Sequence, residues 1–222
     1  NKSTLGANAI LGVSMAACRA HAKTEGLAIW ESLACQFEVS DATLLPVPLM
    51  NVINGGAHAD NDLSFQECMV VPTGFDCYHD ALRAGAETFH ALRGLLKEQG
   101  RVTAVGDEGG FAPRLGDSHE AFTLLLEAIN KAGYEGKMQL AIDAAASEFY
   151  EDGVYHIDGK QLSSEELTAY YEELCEQYPL ISIEDSHDED DWEGFTAMKA
   201  KLGDRIQLVG DDLLVTNVER IQ

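Results

Sequence analysis

The sequence predicts an α/β fold with a parallel sheet, of the kind found in an incomplete (β/α)8 barrel. Short apolar strands alternate with amphipathic helices through the second half of the chain, which is typical of a parallel sheet buried on both faces. Three successive strands end in acidic residues, at the edge where such folds assemble their sites. The five predicted strands fall short of the eight that close a barrel.

The first half of the chain predicts a helix and then two strands. Residues 6–26 are Ala-rich, and their apolar residues recur at helical spacing. Strands are predicted over residues 44–54 and 63–73. Because the glycine loop between them is too short for a parallel crossover, we expect the two strands to be antiparallel neighbours.

Two helices are predicted before the regular alternation starts. Residues 77–100 form an amphipathic pattern. The apolar face predicted for this helix consists of Leu82, Ala86, Phe89, Leu92 and Leu96. The second helix begins at Asp117, because Glu120 three residues later completes an N-cap signature.

Three strand–helix units follow. Their predicted strands are residues 138–143, 180–185 and 206–212, and their helices are residues 163–178, 191–203 and 216–222. Ser163 and Glu166 form a capping box at the start of the first of these helices. Since the last helix is very short and the chain opens on Asn1, we expect the sequence to be a piece cut at both ends.

The composition favours small ligands and cations over polyanions. The chain carries 38 acidic and 15 basic residues, a formal net charge of -23, which argues against nucleic acid or an anionic membrane as a partner. Its five cysteines are scattered without a CxxC pattern, which favours a reducing, cytoplasmic location.

The acids at the strand ends predict a cation site. Asp143, Glu184 and Asp211 each follow an apolar strand, so the fold is expected to bring them to one edge of the sheet. Carboxylates without neighbouring Cys or regularly spaced His suit Mg²⁺, with Mn²⁺ as a second choice. The alternative is that each acid caps the helix after it.

Three further residues have weaker signals. Strand alternation puts Glu67 on the face of Phe65 and Met69, a costly place for a charge, although it could equally be a surface residue on an edge strand. Glu108 lies in the loop AVGDEGGFAP, whose glycines and proline interrupt regular structure. His58 is a lone loop histidine, a type more often solvated than catalytic.

Six segments together resemble the successive signature segments of the enolase (phosphopyruvate hydratase) family, in the family's order and spacing. They are NVINGGAHADN, FQECMVVPTG, AVGDEGGFAP, AIDAAASEFY, SIEDSHDEDDW and LVGDDLLVTN. The resemblance implies an enolase-type barrel that begins ββαα before its βα units, over residues 44–222. It also implies that residues 1–43 are the last helical part of an N-terminal domain with a linker.

The implied activity is that of a hydro-lyase: Mg²⁺-dependent, reversible dehydration of 2-phospho-D-glycerate to phosphoenolpyruvate in glycolysis. The full-length protein is expected to be a homodimer or a higher homo-oligomer. The resemblance makes Asp143, Glu184 and Asp211 the metal ligands, Glu108 the general acid and Glu67 its partner. It further implies that His58, Gln66 and Glu67 contact the substrate, and that Asp107 and Asp212 support the site from behind.

The resemblance also places the catalytic lysine beyond Gln222, so we expect this chain alone to be inactive. Two other interpretations stay open. One is another proton-abstracting enzyme of the enolase superfamily, which would not need the Glu67–Glu108 pair to expel water. The other is a non-catalytic enolase remnant or metal-binding module.

Overall fold

The computed structural model describes residues 4–59, 61–106 and 108–222, which fall into two units, Asn1–Pro46 and Val47–Gln222. The first unit contains helices α1 (Ala7–Glu25) and α2 (Ile29–Gln36). The helix predicted over residues 6–26 is thus confirmed as α1. It ends at Gly26, whose left-handed φ of 72° suits a glycine C-cap.

The second unit is a mixed α/β structure. Its strands are β1 (Met50–Asn54), β2 (Glu67–Val71), β3 (Gln139–Asp143), β4 (Tyr150–Glu151), β5 (Val154–Ile157), β6 (Lys160–Leu162), β7 (Leu180–Glu184) and β8 (Gln207–Val209). Its α-helices are α3 (Tyr78–Glu98), α4 (Ser118–Lys131), α5 (Ser164–Gln177), α6 (Trp192–Leu202) and α7 (Val218–Ile221).

The main sheet has the strand order β1-β2-β3-β7-β8. β1 and β2 are antiparallel, as predicted, and β2 also pairs antiparallel with β3. β3, β7 and β8 are parallel, which confirms the predicted strand–helix units. The sheet does not close within the described residues, so the fold is a partial (β/α) barrel, as the strand count predicted.

The helices begin where the sequence predicts. The Asp117 side chain accepts a hydrogen bond from the backbone N–H of Glu120 at the start of α4. Ser163 and Glu166 form the expected capping box at α5. Among the described residues, no helix combines the length and apolar character needed to cross a bilayer.

The apolar face predicted for α3 is partly wrong. Leu92 and Leu96 are buried, but Leu82 is 44% exposed and Ala86 is also exposed. The rest of the buried face consists of Ala81, Ala84, Gly85, Thr88 and Leu95. Gly85 lies close to β1, because a Cβ on Gly85 would lie 2.1 Å from Sδ of Met50. Small residues as well as large ones therefore form the buried face of α3.

Phe65 departs from the predicted alternation. We expected it to share a face with Glu67 and Met69, but β2 begins only at Glu67. Phe65 instead lies in the main core, with its ring centroid 6.2 Å from those of Phe122 and Tyr171. Met69 packs in a smaller cluster with Val71 and Ala141. The face that carries Glu67 is thus less apolar than the sequence predicted.

A second sheet, β4-β5-β6, was not predicted. It is antiparallel and is built on two Asp-Gly turns, at residues 152–153 and 158–159. All four turn residues have positive φ, the conformation that two-residue hairpins need. The repeated Asp-Gly pair between short alternating segments was the available signal for this hairpin.

Candidate active site

Two of the predicted metal ligands lie side by side at the end of the parallel strands. Asp143 on β3 is opposite Glu184 on β7, and Glu184 is opposite Val209 on β8, two residues before Asp211. Asp143 is only 8% exposed, and burial raises the pKa of its carboxyl to about 6. Burial, with the charges of Asp143 and other nearby acids, raises the pKa of Glu184 to about 7.

Asp185 joins the ends of β7 and β8. Its carboxylate accepts hydrogen bonds from the backbone N–H groups of Asp211 at 3.2 Å, Asp212 at 2.9 Å and Leu213 at 3.3 Å. Asp185 is 2% exposed, and burial raises its pKa although these hydrogen bonds oppose the shift. The backbone that carries Asp211 is therefore held by Asp185, while the side chain of Asp211 is exposed.

Glu67 faces the strand-end acids from β2. It is opposite Asn54 on β1 and Asp143 on β3, so it lies inside the sheet, and the edge-strand alternative is wrong. Burial, a hydrogen bond with Glu108 and the charges of Glu108, Asp143 and Glu184 raise its pKa to about 9. Glu67 therefore holds a proton at neutral pH and can donate it to the Glu108 carboxylate.

The glycine loop presents Glu108 by close packing against β1 and its following turn. The Gly106 N–H donates to the Gly110 carbonyl at 2.8 Å and so closes the loop. A Cβ on Gly106 would lie 2.7 Å from the His58 carbonyl oxygen, and one on Gly110 would lie 2.5 Å from Oδ1 of Asn54. Side chains at these two positions would force the loop away. Asp107, the predicted supporting residue of this loop, lies outside the described residues.

His58 completes the group around Glu108. It ends the 3₁₀ helix Gly56–His58, and its Nδ1 lies 3.6 Å from Oε2 of Glu108. Ligand atoms of His58, Glu67 and Glu108 all lie within 4.8 Å of one another. We call these three residues the loop cluster. The structure thus brings together three residues whose individual signals in the sequence are weak and which only the family resemblance links.

Gln66 links the loop cluster to the strand-end acids. Its Nε2 donates a hydrogen bond to Oδ2 of Asp143 at 3.2 Å, while the backbone N–H of Ala145 donates to Oδ1 at 3.0 Å. The contact orients one carboxylate oxygen of Asp143. The predicted contact of Gln66 with a substrate stays a prediction.

The strand-end acids have the chemistry of a Mg²⁺ site. The donors are all carboxylates, Asp143 is buried and Glu184 half-buried, and the described ion pairs include no Lys or Arg partner for Asp143, Glu184 or Asp211. A divalent cation would neutralise this uncompensated charge, so the residues fit the ion. In the described part of the chain, however, the set within 4.8 Å is the loop cluster and not these three acids. Their assignment as ligands stays a prediction.

Two supporting features were missed from the sequence. One is Asp185, which ends a predicted strand and has no role in the sequence analysis. Its position directly after the predicted metal ligand Glu184 is a sequence signal for a supporting acid. Asn51 and Asn54 were not singled out at all. Their side-chain amides are buried beside the glycine loop, and Asn54 is 0% exposed. Only the fold brings Asn54 next to Gly106 and Gly110, so the sequence held no local signal for it.

A comparison with known protein families agrees with this geometry. Residues 42–222 match the family described as "Enolase, C-terminal TIM barrel domain". The matched range covers the whole main sheet, the loop cluster and the strand-end acids.

Proposed function

The chain belongs to the family of enolase C-terminal TIM barrel domains, and from that premise we propose that it serves the Mg²⁺-dependent, reversible dehydration of 2-phospho-D-glycerate to phosphoenolpyruvate. The observation that carries this proposal is the pairing of Glu67 with Glu108. It is a pair of carboxyls that can share a proton, next to a row of strand-end acids that have no Lys or Arg partner among the described ion pairs. Removal of water from a substrate needs such an acid beside a cation site.

The strand-end acids Asp143, Glu184 and Asp211 would hold Mg²⁺. When bound, the ion would neutralise the negative charge that builds on the substrate as the proton next to its carboxylate leaves. Asp185 fixes the backbone N–H groups of residues 211–213 and so limits the movement of Asp211. Asp212 lies in this braced turn and is proposed as a supporting residue.

The Glu67–Glu108 pair would supply the proton to the departing hydroxyl. Glu67 is the more buried member and holds the proton of the pair, whereas the Glu108 side chain is 43% exposed and can reach a substrate. Glu108 would give a proton to the departing hydroxyl and take one from Glu67, and the pair would then regain one proton from solvent. His58, whose side chain is 25% exposed, stands beside Glu108 and is proposed to contact the substrate together with Gln66 and Glu67.

The same pair favours dehydration over other reactions of the superfamily. A racemase or another enzyme that only moves a proton has no leaving hydroxyl to protonate, and so no need for a second buried acid opposite the cation site. We further propose a glycolytic role in the cytoplasm and a homodimeric or larger full-length protein. The scattered cysteines and the composition support the location.

A chimera tests the proposal directly. Residues 1–222 would replace the corresponding part of a working enolase, which then supplies the lysine base that the family places outside these residues. We expect Mg²⁺-dependent formation of phosphoenolpyruvate from 2-phosphoglycerate. Glu108→Gln should lower kcat by roughly 10²–10⁴-fold, as loss of a general acid does. Glu127→Gln, on the exposed side of α4, is the matched control and should retain activity.

A folded chimera that binds Mg²⁺ but forms no phosphoenolpyruvate would support the remnant interpretation instead. A chimera in which Glu108→Gln retains full activity would show that the acid is assigned wrongly. In both cases near-ultraviolet circular dichroism establishes that the barrel has formed. The 222-residue chain alone, assayed in parallel, is expected to be inactive.

A further inference from the structure

Arg220 on α7 joins the two loops that follow β7 and β8. Its Nε donates a hydrogen bond to the carbonyl oxygen of Leu213 in the loop after β8. In the loop after β7, its Nη2 donates to the carbonyl oxygen of Glu189, and its Nη1 lies 3.0 Å from Oδ1 of Asp190. The guanidinium carbon also lies 5.2 Å from the centroid of the Trp192 ring. All three guanidinium nitrogens therefore have a partner, and the side chain is only 24% exposed.

The backbone of Leu213 is held on both sides. Its N–H donates to the Asp185 carboxylate at 3.3 Å, and its carbonyl oxygen accepts from Arg220. Asp211 lies two residues earlier in the same turn, and its carbonyl oxygen accepts the N–H of Val215 at 2.7 Å. A shift of Leu213 is therefore passed to Asp211 through one short turn.

The loop after β8 has a backbone conformation that its own residues do not favour. Val215 and Thr216 have φ values of 40° and 54°, in the left-handed region. Both residues are β-branched, and this region is an outlier for such side chains. A backbone of this kind persists only when its surroundings hold it in place. Asp185 and Arg220 supply such contacts, one to each side of the Leu213 peptide backbone.

The contacts of Arg220 depend on the shape of its guanidinium group more than on its charge. An exposed ion pair such as that with Asp190 contributes little by itself. The other two acceptors are backbone carbonyls in different loops, and the planar guanidinium offers donors in several fixed directions at once. A lysine ammonium carries its donors on one nitrogen and does not reproduce this fork.

We infer that Arg220 is a positioning residue for the cation site at the strand ends, an inference that rests on the proposed role of these acids in Mg²⁺ binding. Glu184 ends the strand before one of the joined loops, and Asp211 lies at the start of the other. Arg220 thus sets how these two carboxylates stand relative to each other. Asp143 needs no such support, because its carboxylate already accepts from Gln66 and from the backbone N–H of Ala145.

Manganese binding to the 222-residue chain tests the inference. Free Mn²⁺ gives an electron paramagnetic resonance signal that weakens on binding, and Mg²⁺ restores the signal by competition. We expect Arg220→Ala to weaken Mn²⁺ binding by roughly tenfold or more, as loss of a contact that orients a metal ligand does. Arg220→Lys keeps the charge without the fork, so it should weaken binding nearly as much. Hydrogen exchange at the amides of residues 211–213 should become faster in both variants, while the amides of β3 keep their rate.

Arg101→Ala is the matched control. The Arg101 side chain is 28% exposed and likewise bonds a backbone carbonyl and a carboxylate, those of Arg114 and Glu120. These partners lie at the start of α4 and just before it, not in the loops after β7 and β8. Arg101→Ala should therefore lose stability but keep the Mn²⁺ affinity of the parent.

Each outcome decides the inference. It is overturned if either Arg220 variant, folded by circular dichroism, binds Mn²⁺ as tightly as the parent, or if Arg101→Ala weakens binding equally. Mn²⁺ binding that is absent from the parent, or that survives in Asp143→Asn/Glu184→Gln, also overturns it. Should Arg220→Ala fail to fold, Arg220→Lys decides. Failure of the proposed function is a separate result: the chimera would form no phosphoenolpyruvate, while Arg220→Ala would still bind Mn²⁺ less tightly than the parent.

Discussion

The strand-end acids and the loop cluster lie in two neighbouring regions that are held in place by different interactions. Asp143 and Glu184 are held by the hydrogen-bond ladder of neighbouring parallel strands, which fixes their spacing. Glu108 and His58 are held by backbone segments that touch only because glycines leave room. Glu67 belongs to both regions, as it is a strand residue opposite Asp143 and its carboxyl lies within 4.8 Å of ligand atoms of His58 and Glu108.

The difference shows where rigidity comes from in this protein. In the strand-end region the third acid depends on Asp185, a side chain that braces the backbone of its neighbours. In the loop region the side-chain amide of Asn61 donates hydrogen bonds to the backbone carbonyls of Asn54 at 2.9 Å and Pro113 at 3.1 Å, and close backbone contacts at the glycines complete the positioning. We therefore expect loss of the Asp185 side chain to disturb the first region and a methyl group added to a loop glycine to disturb the second.

The largest effect is expected from Asp185→Ala. It leaves three backbone N–H groups after β8, one buried and two part-buried, without their acceptor, which should lower the free energy of unfolding by about 2–4 kcal/mol. Asp185→Asn keeps one oxygen acceptor, so its free energy of unfolding should fall by less. Urea unfolding measures both, with the exposed Asp204→Ala expected within about 0.5 kcal/mol of the parent. Equal stability of Asp185→Ala and the parent would contradict the bracing role.

The next effect is expected from Gly106→Ala in the loop region. Its Cβ would lie 2.7 Å from the His58 carbonyl oxygen and 2.9 Å from Cβ of Asn54, so the loop must shift at a cost of about 1–3 kcal/mol. Gly94→Ala is the matched control, because nothing lies within 4 Å of its Cβ and it is inside α3. That change should stabilise the protein by about 0.5–1 kcal/mol. Thermal unfolding measures the stability of both variants against the parent. If Gly94→Ala is as destabilised as Gly106→Ala, close packing at Gly106 is not the cause.

The same contrast explains what the sequence could predict. Apolar runs predicted the strands, and the lengths of the connections predicted their directions. The row of acids followed from the acidic residue at the end of each parallel strand. All of these are local patterns in the sequence. The contact of Glu108 with Glu67 followed only from the family resemblance, because 41 residues separate them and no periodicity links a loop to a strand.

The misses have the same physical origin. Asn54 packs against Gly106 and Gly110, so its importance depends on a distant loop. The face of α3 was predicted from apolar residues at helical spacing, but the buried face also includes Gly85, which lies close to Met50. Only close approach in three dimensions identifies such positions.

Mg²⁺ should distinguish the two regions. The double variant Asp143→Asn/Glu184→Gln removes two carboxyls whose pKa values are raised by burial, so it should be more stable than the parent at pH 8 without Mg²⁺. Mg²⁺ at ten times its Kd should stabilise the parent by about 1.4 kcal/mol and leave the variant unchanged. That corresponds to a rise in Tm of roughly 3–6 °C for a chain of this size. A variant that keeps the full Mg²⁺ response would show that the ion binds elsewhere.

The last effect is a change in the pH dependence of stability caused by Glu67→Gln. The pKa of Glu67 is about 9 in the folded chain against 4.5 as its ordinary value, so between these values the folded state binds more protons than the unfolded state. Stability contributed by the protonated carboxyl is therefore lost as pH rises through that window. Without Mg²⁺, the Tm of the parent should fall between pH 6 and pH 8.5, and Glu67→Gln should fall less steeply. Because Glu67 keeps some exposure, solvent screens part of the effect. If Tm falls equally steeply with pH in the two proteins, the pKa of Glu67 is not raised in the folded chain. The Glu67–Glu108 pair would then hold no proton at neutral pH.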